Sequence, residues 1–209
     1  MASKIKSNLS FTMETHPNWY RDVPAMETLI LGSFPPHYSK WTYEFYYPNK
    51  QNRFWKILAS LCNFQLHEYP KMDNRYVEER YAIMQELKIG IQNIGFKAKR
   101  EGNSSLDTKI EIVTYHNILH LIKTHPKVNK ILLPGFAAKS STYRCFLQYL
   151  NSCGIHLTPV KKPQPIKTNF LLPIDNRNIK CIVLNSTSTA STVPYEDVFL
   201  QFKRAIFDT

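Results

Sequence analysis

Two stretches of the chain combine residue types that could handle a planar, phosphate-linked ligand. The first runs Gly32-Ser33-Phe34-Pro35-Pro36 and resumes at Phe45-Tyr46-Tyr47-Pro48-Asn49-Lys50-Gln51-Asn52-Arg53-Phe54-Trp55. A glycine lets backbone approach a ligand closely, and prolines hold a loop in a fixed shape. Aromatic rings beside Asn and Arg suit a slot that stacks a planar base while an amide reads its edge. The same rings would also serve a loop that simply packs on the core. The second stretch is Asn185-Ser186-Thr187-Ser188-Thr189-Ala190-Ser191-Thr192. Small hydroxyl residues offer N–H groups and side chains to phosphates without blocking a nucleic-acid backbone. An isolated Ser/Thr tract is equally the composition of an ordinary surface loop.

Other reactive side chains are scattered. His37 follows Pro35-Pro36 and is a second candidate for proton handling. His116 and His120 are four apart on an expected helix with no third ligand in view, which reads as a pair of helix-surface histidines. Lys97, Lys99 and Arg100 form a basic cluster that either tracks phosphates or makes a solvated face. Cys62, Cys145, Cys153 and Cys181 show no CxxC and no zinc spacing, so reduced thiols, no metal and no cofactor are expected.

These residues need elements to position them. Residues 27–32 form a short apolar run ending in glycine, as a buried parallel strand does. Ile89–Gly95, Lys130–Pro134 and Cys181–Leu184 read the same way. Apolar residues recur at helical spacing from Phe54 to Leu61 and from Val77 to Met84, the latter opened by Asp73 and Asn74. Further helices are expected over Tyr115–Ile122, Ala137–Leu150 and Val198–Ile206, and Lys161–Asn178 reads as a loop or an extended insertion. Strands alternating with helices imply a parallel sheet covered on both faces, with ligands beyond the carboxyl ends of the strands. That rule nominates Ser33–Tyr38, the segment after Ile94, the turn at Gly135, and Asn185–Thr192.

Bulk properties set the frame. The 209 residues fit one domain, residues 1–209, with residues 1–25 expected to be loosely ordered. A hydrophobic content of 43% excludes a disordered chain. No run approaches the roughly 20 apolar residues of a membrane span, and the basic start at Met1–Lys6 lacks the apolar core of a secretory signal. A cytoplasmic protein without membrane partners is expected. The formal charge of +11 favours polyanion partners through phosphate attraction and counterion release.

Several segments, taken in order, resemble the uracil-DNA glycosylase superfamily, closest to its hypoxanthine and mismatch-specific uracil branches. LILGSFPP followed by FYYPNKQNRFWKIL is similar to the family's first signature, a strand ending in Gly-Ser-x-Pro and a later Asn-x-Phe-Trp. GIQNIGFKAKREGNSSLDTKI resembles the second strand and its Arg-x-Gly-Ser-x-x-Asp stretch. NKILLPGFAA and IVLNSTSTAST match the third strand and the fourth with its DNA-contact loop. The resemblance spans roughly residues 27 to 207. It implies a three-layer α/β/α fold around a central, mostly parallel four-stranded sheet. It also implies a monomeric, monofunctional glycosylase that flips a deaminated base from double-stranded DNA and hydrolyses its N-glycosidic bond.

Carried over by position, the resemblance makes Asn52 the catalytic amide and Ser33 part of the catalytic lip. Phe34, Phe45, Tyr46 and Asn93 become base-binding residues, with Tyr46 stacking on the flipped base. Ser186, Thr187, Ser188, Thr189 and Lys97 become DNA contacts, and Arg53, Phe54 and Trp55 hold the helix in place. The chain departs from the family in instructive ways. Phe34 stands where the mismatch-specific enzymes have the Asn that positions water. Asn49 and Lys50 replace a His-Pro, Asn93 replaces an Asp, and Asn185 and Thr187 replace two prolines. Glu44 and Asp107 are then general-base candidates by sequence proximity alone. The alternatives are a DNA-binding protein of this fold with a decayed site, or a small-molecule hydrolase or nucleotide-binding protein on a generic α/β fold. Base release separates the first reading from both alternatives.

Overall fold

The computed structural model describes residues 11–102, 109–138, 141–159, 165–166 and 169–208. Three short apolar segments are buried along nearly their whole length: Thr28–Gly32 (β2), Ile89–Asn93 (β3) and Lys130–Pro134 (β6). Burial on both faces is what a parallel strand between two helix layers requires. With Arg177–Leu184 (β8) and Asn169–Ile174 (β7) they form a sheet of order β3-β2-β6-β8-β7. The first four strands are mutually parallel and β7 is antiparallel to β8. The sheet is therefore mixed and five-stranded, where four strands were expected. The extra strand falls in the Pro-rich stretch read as a loop or an extended insertion. Pro173 is tolerated because β7 is an edge strand, where a missing N–H breaks no ladder bond.

A second sheet was not anticipated. Phe11–Thr15 (β1), Gly95–Glu101 (β4) and Ile110–Tyr115 (β5) pair antiparallel in the order β1-β4-β5. It continues from the first sheet through Ile94, whose N–H donates to the Gly32 carbonyl while Gly95 donates to that of Ser33. Alternation explains β4: Ala98 and Arg100 face inward while Lys97 and Lys99 face solvent. The stretch read as one basic cluster is thus split between two faces. Within residues 11–25, Trp19 and Val23 join the hydrophobic core.

The helices are Phe54–Leu61 (α1), Arg75–Glu86 (α2), Ile118–Thr124 (α3), Thr142–Ser152 (α4) and Tyr195–Phe207 (α5). Phe54 and Trp55 are buried on α1 as expected, and Phe54 meets Phe202 of α5 edge to face. The right-handed crossover preference sets α1 and α2 on one face of the sheet and α3 and α4 on the other. Contacts agree: α1 packs on α2 and α5, whereas the Tyr149 hydroxyl of α4 accepts the Leu119 N–H of α3. Two helices start later than their apolar periodicity suggests. Asn117 caps α3 by accepting the His120 N–H at 3.0 Å, so Tyr115 ends β5 and His116 lies between the two elements.

One ion pair on a buried arginine braces the second sheet, and the same arginine ties that sheet to the loop after β2. Arg100, fully buried, donates from Nε and Nη2 to the two carboxylate oxygens of Glu14, each at 2.8 Å. Its Nη2 also donates to the Pro35 carbonyl at 2.8 Å, fixing the loop that follows β2. Removing one member of such a pair strands a buried charge. Glu14→Ala is expected to lower unfolding free energy by about 3 kcal/mol in urea titration.

Candidate functional site

The carboxyl ends of β2, β3, β6 and β8 open into one cleft of about 850 Å³. Three of the four segments nominated by the strand-end rule contribute to it, through Ser33–Pro36, Pro134–Ala138 and Asn185–Val193; at β3 the lining residue is Asn93, before Ile94 and not after it. The loop Tyr47–Asn52 before α1 closes the remaining side. Among the described lining residues Lys40 carries the one formal charge, and the polar surface is otherwise made of amides, hydroxyls and backbone.

Two amides in the walls have opposite free ends. Asn52 Oδ1 accepts the Phe54 N–H at 2.9 Å, capping α1 and leaving the Nδ2 donor unengaged among the described residues. Asn93 is arranged the other way. Its Nδ2 donates to His16 Nε2 at 3.0 Å, and Oδ1 takes no bond from a described residue. That oxygen lies over Gly32, where a Cβ would stand 2.2 Å from it. Glycine at the end of β2 is therefore what admits the Asn93 amide to the cleft wall. The Asn93 backbone is held as well, because Gln92 Oε1 accepts both its N–H and the Tyr46 hydroxyl.

The Ser/Thr loop is shaped by itself and by Arg53. Ser186, Ser188 and Ser191 each accept, through the hydroxyl oxygen, the N–H two residues ahead. Those hydroxyls keep their own hydrogens to donate, as hydroxyls can. The Arg53 guanidinium reaches the carbonyls of Ser186, Thr187, Ser188 and Val193, the last at 2.8 Å. The Arg53 N–H adds a bond to the Thr187 carbonyl. Asn52 and the Ser/Thr loop are thus locked together through one neighbouring residue.

No protein-family model matches the chain. Over 122 residues it is 30% identical to a hypoxanthine DNA glycosylase from Methanosarcina barkeri, a stretch covering 58% of this chain and 70% of that protein. The chain belongs to the uracil-DNA glycosylase superfamily, in its hypoxanthine-DNA glycosylase branch. The fold agrees. A solution NMR structure from Methanosarcina acetivorans, provisionally assigned as a uracil DNA glycosylase, superposes with a TM-score of 0.56 at 20% identity, covering 93% of this chain and 99% of that one.

Within this family fold the residues singled out by sequence separate into two groups. Asn52, Ser33, Phe34, Asn93 and the run Ser186, Thr187, Ser188, Thr189 all line the cleft, although Thr187 is almost fully buried. Tyr46 and Phe45 do not. Both are sealed in the core, and Tyr46 spends its hydroxyl on Gln92 beneath Asn93. The aromatic residue that reaches the cleft is the next one, Tyr47, stacked on Phe54 with centroids 3.7 Å apart. Its left-handed backbone (φ 50°) turns the ring outward, and the Tyr43 hydroxyl pins its carbonyl at 2.8 Å. A Tyr-Tyr pair signals the ring in sequence but not which of the two turns outward.

Lys97 also lies outside the cleft, exposed on β4 opposite Thr15. His37 is buried, caps a 3-10 turn through Ser39, and lines a neighbouring side cavity of about 330 Å³ instead of the main cleft. Glu44 is exposed and lines neither, and Asp107 lies outside the described residues. No described cleft residue is a carboxylate.

Sequence reasoning missed His16 entirely. It packs against Trp19, Phe34, Tyr46 and His116, the last at 4.9 Å, edge to face. His116 is therefore no helix-surface residue, and burial lowers its own affinity for a proton. Burial, aided by His116 and opposed by the hydrogen bond to Pro17, pushes the His16 imidazole from 6.5 down to about 4.

Two outcomes follow. Arg53→Met removes the donors that hold the loop, so stability should fall by about 3 kcal/mol. Amide exchange at Ser188, Ala190 and Val193 should rise, as read by hydrogen-exchange NMR. For His16 the unfolded state binds the proton first as pH falls. Its contribution is therefore complete above pH 6.5 and is lost on descending to about 4, a decline of about 3 kcal/mol. Urea midpoints across that range should show the decline, and His16→Phe should flatten it.

Proposed function

We propose that the chain is a monofunctional DNA glycosylase that hydrolyses the N-glycosidic bond of a deaminated base, hypoxanthine foremost, flipped from double-stranded DNA. One observation carries this reading. The two fixed amides and the clamped Ser/Thr loop line a single cleft at the strand ends of a fold shared with glycosylases. The name of the Methanosarcina barkeri relative supports hypoxanthine as the first substrate to test.

Each part has a role in such a reaction. A base inside the duplex is unreachable, so it is extruded into the cleft, and a damaged or mispaired base costs least to extrude. The hydroxyl donors of Ser186, Ser188 and Thr189 meet phosphates and fix the register of the strand. Tyr47 offers a ring at the cleft wall. Asn93 Oδ1 accepts from the edge of the base, and Asn52 Nδ2 donates to the base as negative charge develops on it. With no carboxylate in the described lining, the rate comes from orientation and leaving-group stabilisation on an oxocarbenium-like path. Water attacks the sugar after the bond has largely broken, and the product is an abasic site. The protein would act as a monomer in the cytoplasm, drawn to DNA by its net charge of +11.

The test is alkali-induced cleavage of duplexes carrying a single hypoxanthine, uracil or xanthine. Cleavage at hypoxanthine is expected, falling about 100-fold in Asn52→Ala with DNA affinity retained. Salt-sensitive DNA binding without cleavage of any lesion would instead establish a binding protein on a glycosylase fold.

A further inference from the structure

We propose that His16 is the positioning residue that holds the Asn93 amide with its oxygen toward the cleft, so that the site selects a base edge bearing a ring N–H. The inference rests on the base-pocket reading above and deepens it by naming what sets the polarity of the contact.

His16 Nδ1 lies 2.5 Å from the Pro17 carbonyl oxygen, which can only accept, so Nδ1 carries the proton. A neutral imidazole with its proton on Nδ1 has only a lone pair on Nε2. The Asn93 atom facing that lone pair at 3.0 Å must then be the amide nitrogen. Its oxygen is left over Gly32 at the cleft wall, and the absence of a Cβ there gives it room. Neutrality is the condition for all of this, and the surroundings enforce it. The ring is 5% exposed, and its neighbours are Trp19, Phe34, Tyr46 and His116. His116 disfavours a second charge, and the Tyr46 phenol is kept neutral by burial.

A fixed acceptor separates each deaminated base from its parent. Hypoxanthine presents N1–H where adenine presents a bare N1, and uracil presents N3–H where cytosine presents a bare N3. An oxygen facing that atom forms a hydrogen bond with the first of each pair and repels the second, leaving a buried polar pair unsatisfied. Guanine and thymine also carry a ring N–H, so their rejection falls to the shape of the cleft. An amide free to rotate would serve either polarity and lose this discrimination.

Two measurements on the full chain test the assignment. Long-range proton–nitrogen NMR of the labelled protein near pH 7 should show His16 neutral, with its proton on Nδ1. A proton on Nε2, or a doubly protonated ring, overturns the assignment. Single-turnover excision should be compared between hypoxanthine and N1-methylhypoxanthine, which lacks the N–H. The native chain should prefer hypoxanthine by about 100-fold or more. His16→Phe should lower hypoxanthine excision about tenfold with DNA affinity unchanged, and should narrow that preference. His16→Gln, whose Oε1 can accept from Asn93, should recover most of both. An unchanged preference in His16→Phe, or no recovery in His16→Gln, overturns the role. A native chain with the expected His16 tautomer that releases no base overturns the base-pocket reading and with it the selection of an edge. A proton on Nε2 in an active enzyme overturns the His16 assignment alone.

Discussion

The site depends most on the reach of one guanidinium. A loop leaving a parallel strand carries carbonyls with no ladder partner, and small Ser/Thr side chains cannot cover them. Left unpaired in a half-buried position they would cost free energy or draw the loop into another shape. Arg53 answers with a planar fork whose donors reach the carbonyls of Ser186, Thr187, Ser188 and Val193. A lysine, with one point of charge, could not span that set. Because Asn52 precedes Arg53, the same turn that caps α1 also fixes the loop opposite. The Asn52 amide and the hydroxyls of the Ser/Thr loop are therefore held as one unit.

The second constraint is polarity without charge. Neutral amides are ambiguous ligands, since each carries a donor and an acceptor that exchange by rotation. Here local bonds remove the ambiguity at both. Helix capping consumes the oxygen of Asn52, and His16 consumes the nitrogen of Asn93. A cleft fixed in this way presents oriented dipoles that need not reorganise as charge develops, which is the condition for electrostatic stabilisation. It also accounts for how the fold tolerates Phe34 where mismatch-specific relatives hold an Asn. Phe34 packs the edge of His16, so its ring supports the neutral imidazole in place of positioning water.

The strand-end rule located the cleft from sequence because it rests on topology, and the four central parallel strands are marked by uninterrupted apolar runs. The Ser/Thr loop was legible for the same reason, since it lies just past a strand, whereas Asn52 and Asn93 were legible only through the resemblance to the glycosylase family. What escaped was whatever depends on facing. Tyr46 and Tyr47 are adjacent and chemically identical, and only the positive φ at Tyr47 decides which ring reaches the cleft. The antiparallel sheet escaped because its strands are half exposed. The segment Phe96-Lys97-Ala98-Lys99-Arg100 looks like a basic patch until alternation buries Arg100 against Glu14. His16 escaped because its partner lies 77 residues away and no local pattern announces it.

That second sheet is more than an appendage to the first. Its strand β4 supplies Arg100, which holds the Pro35 carbonyl at one lip of the cleft, and β1 supplies Glu14, which neutralises Arg100. Immediately after β1 comes His16, whose N–H donates to the Phe96 carbonyl and whose ring orients Asn93. The residues that stabilise the joint between the sheets and the residue that sets the polarity of the site are thus two positions apart. Weakening β1 would withdraw the carboxylate that neutralises a buried guanidinium and release the Asn93 amide together. In this chain the orientation of the reading group and the closure of the fold rest on the same short strand.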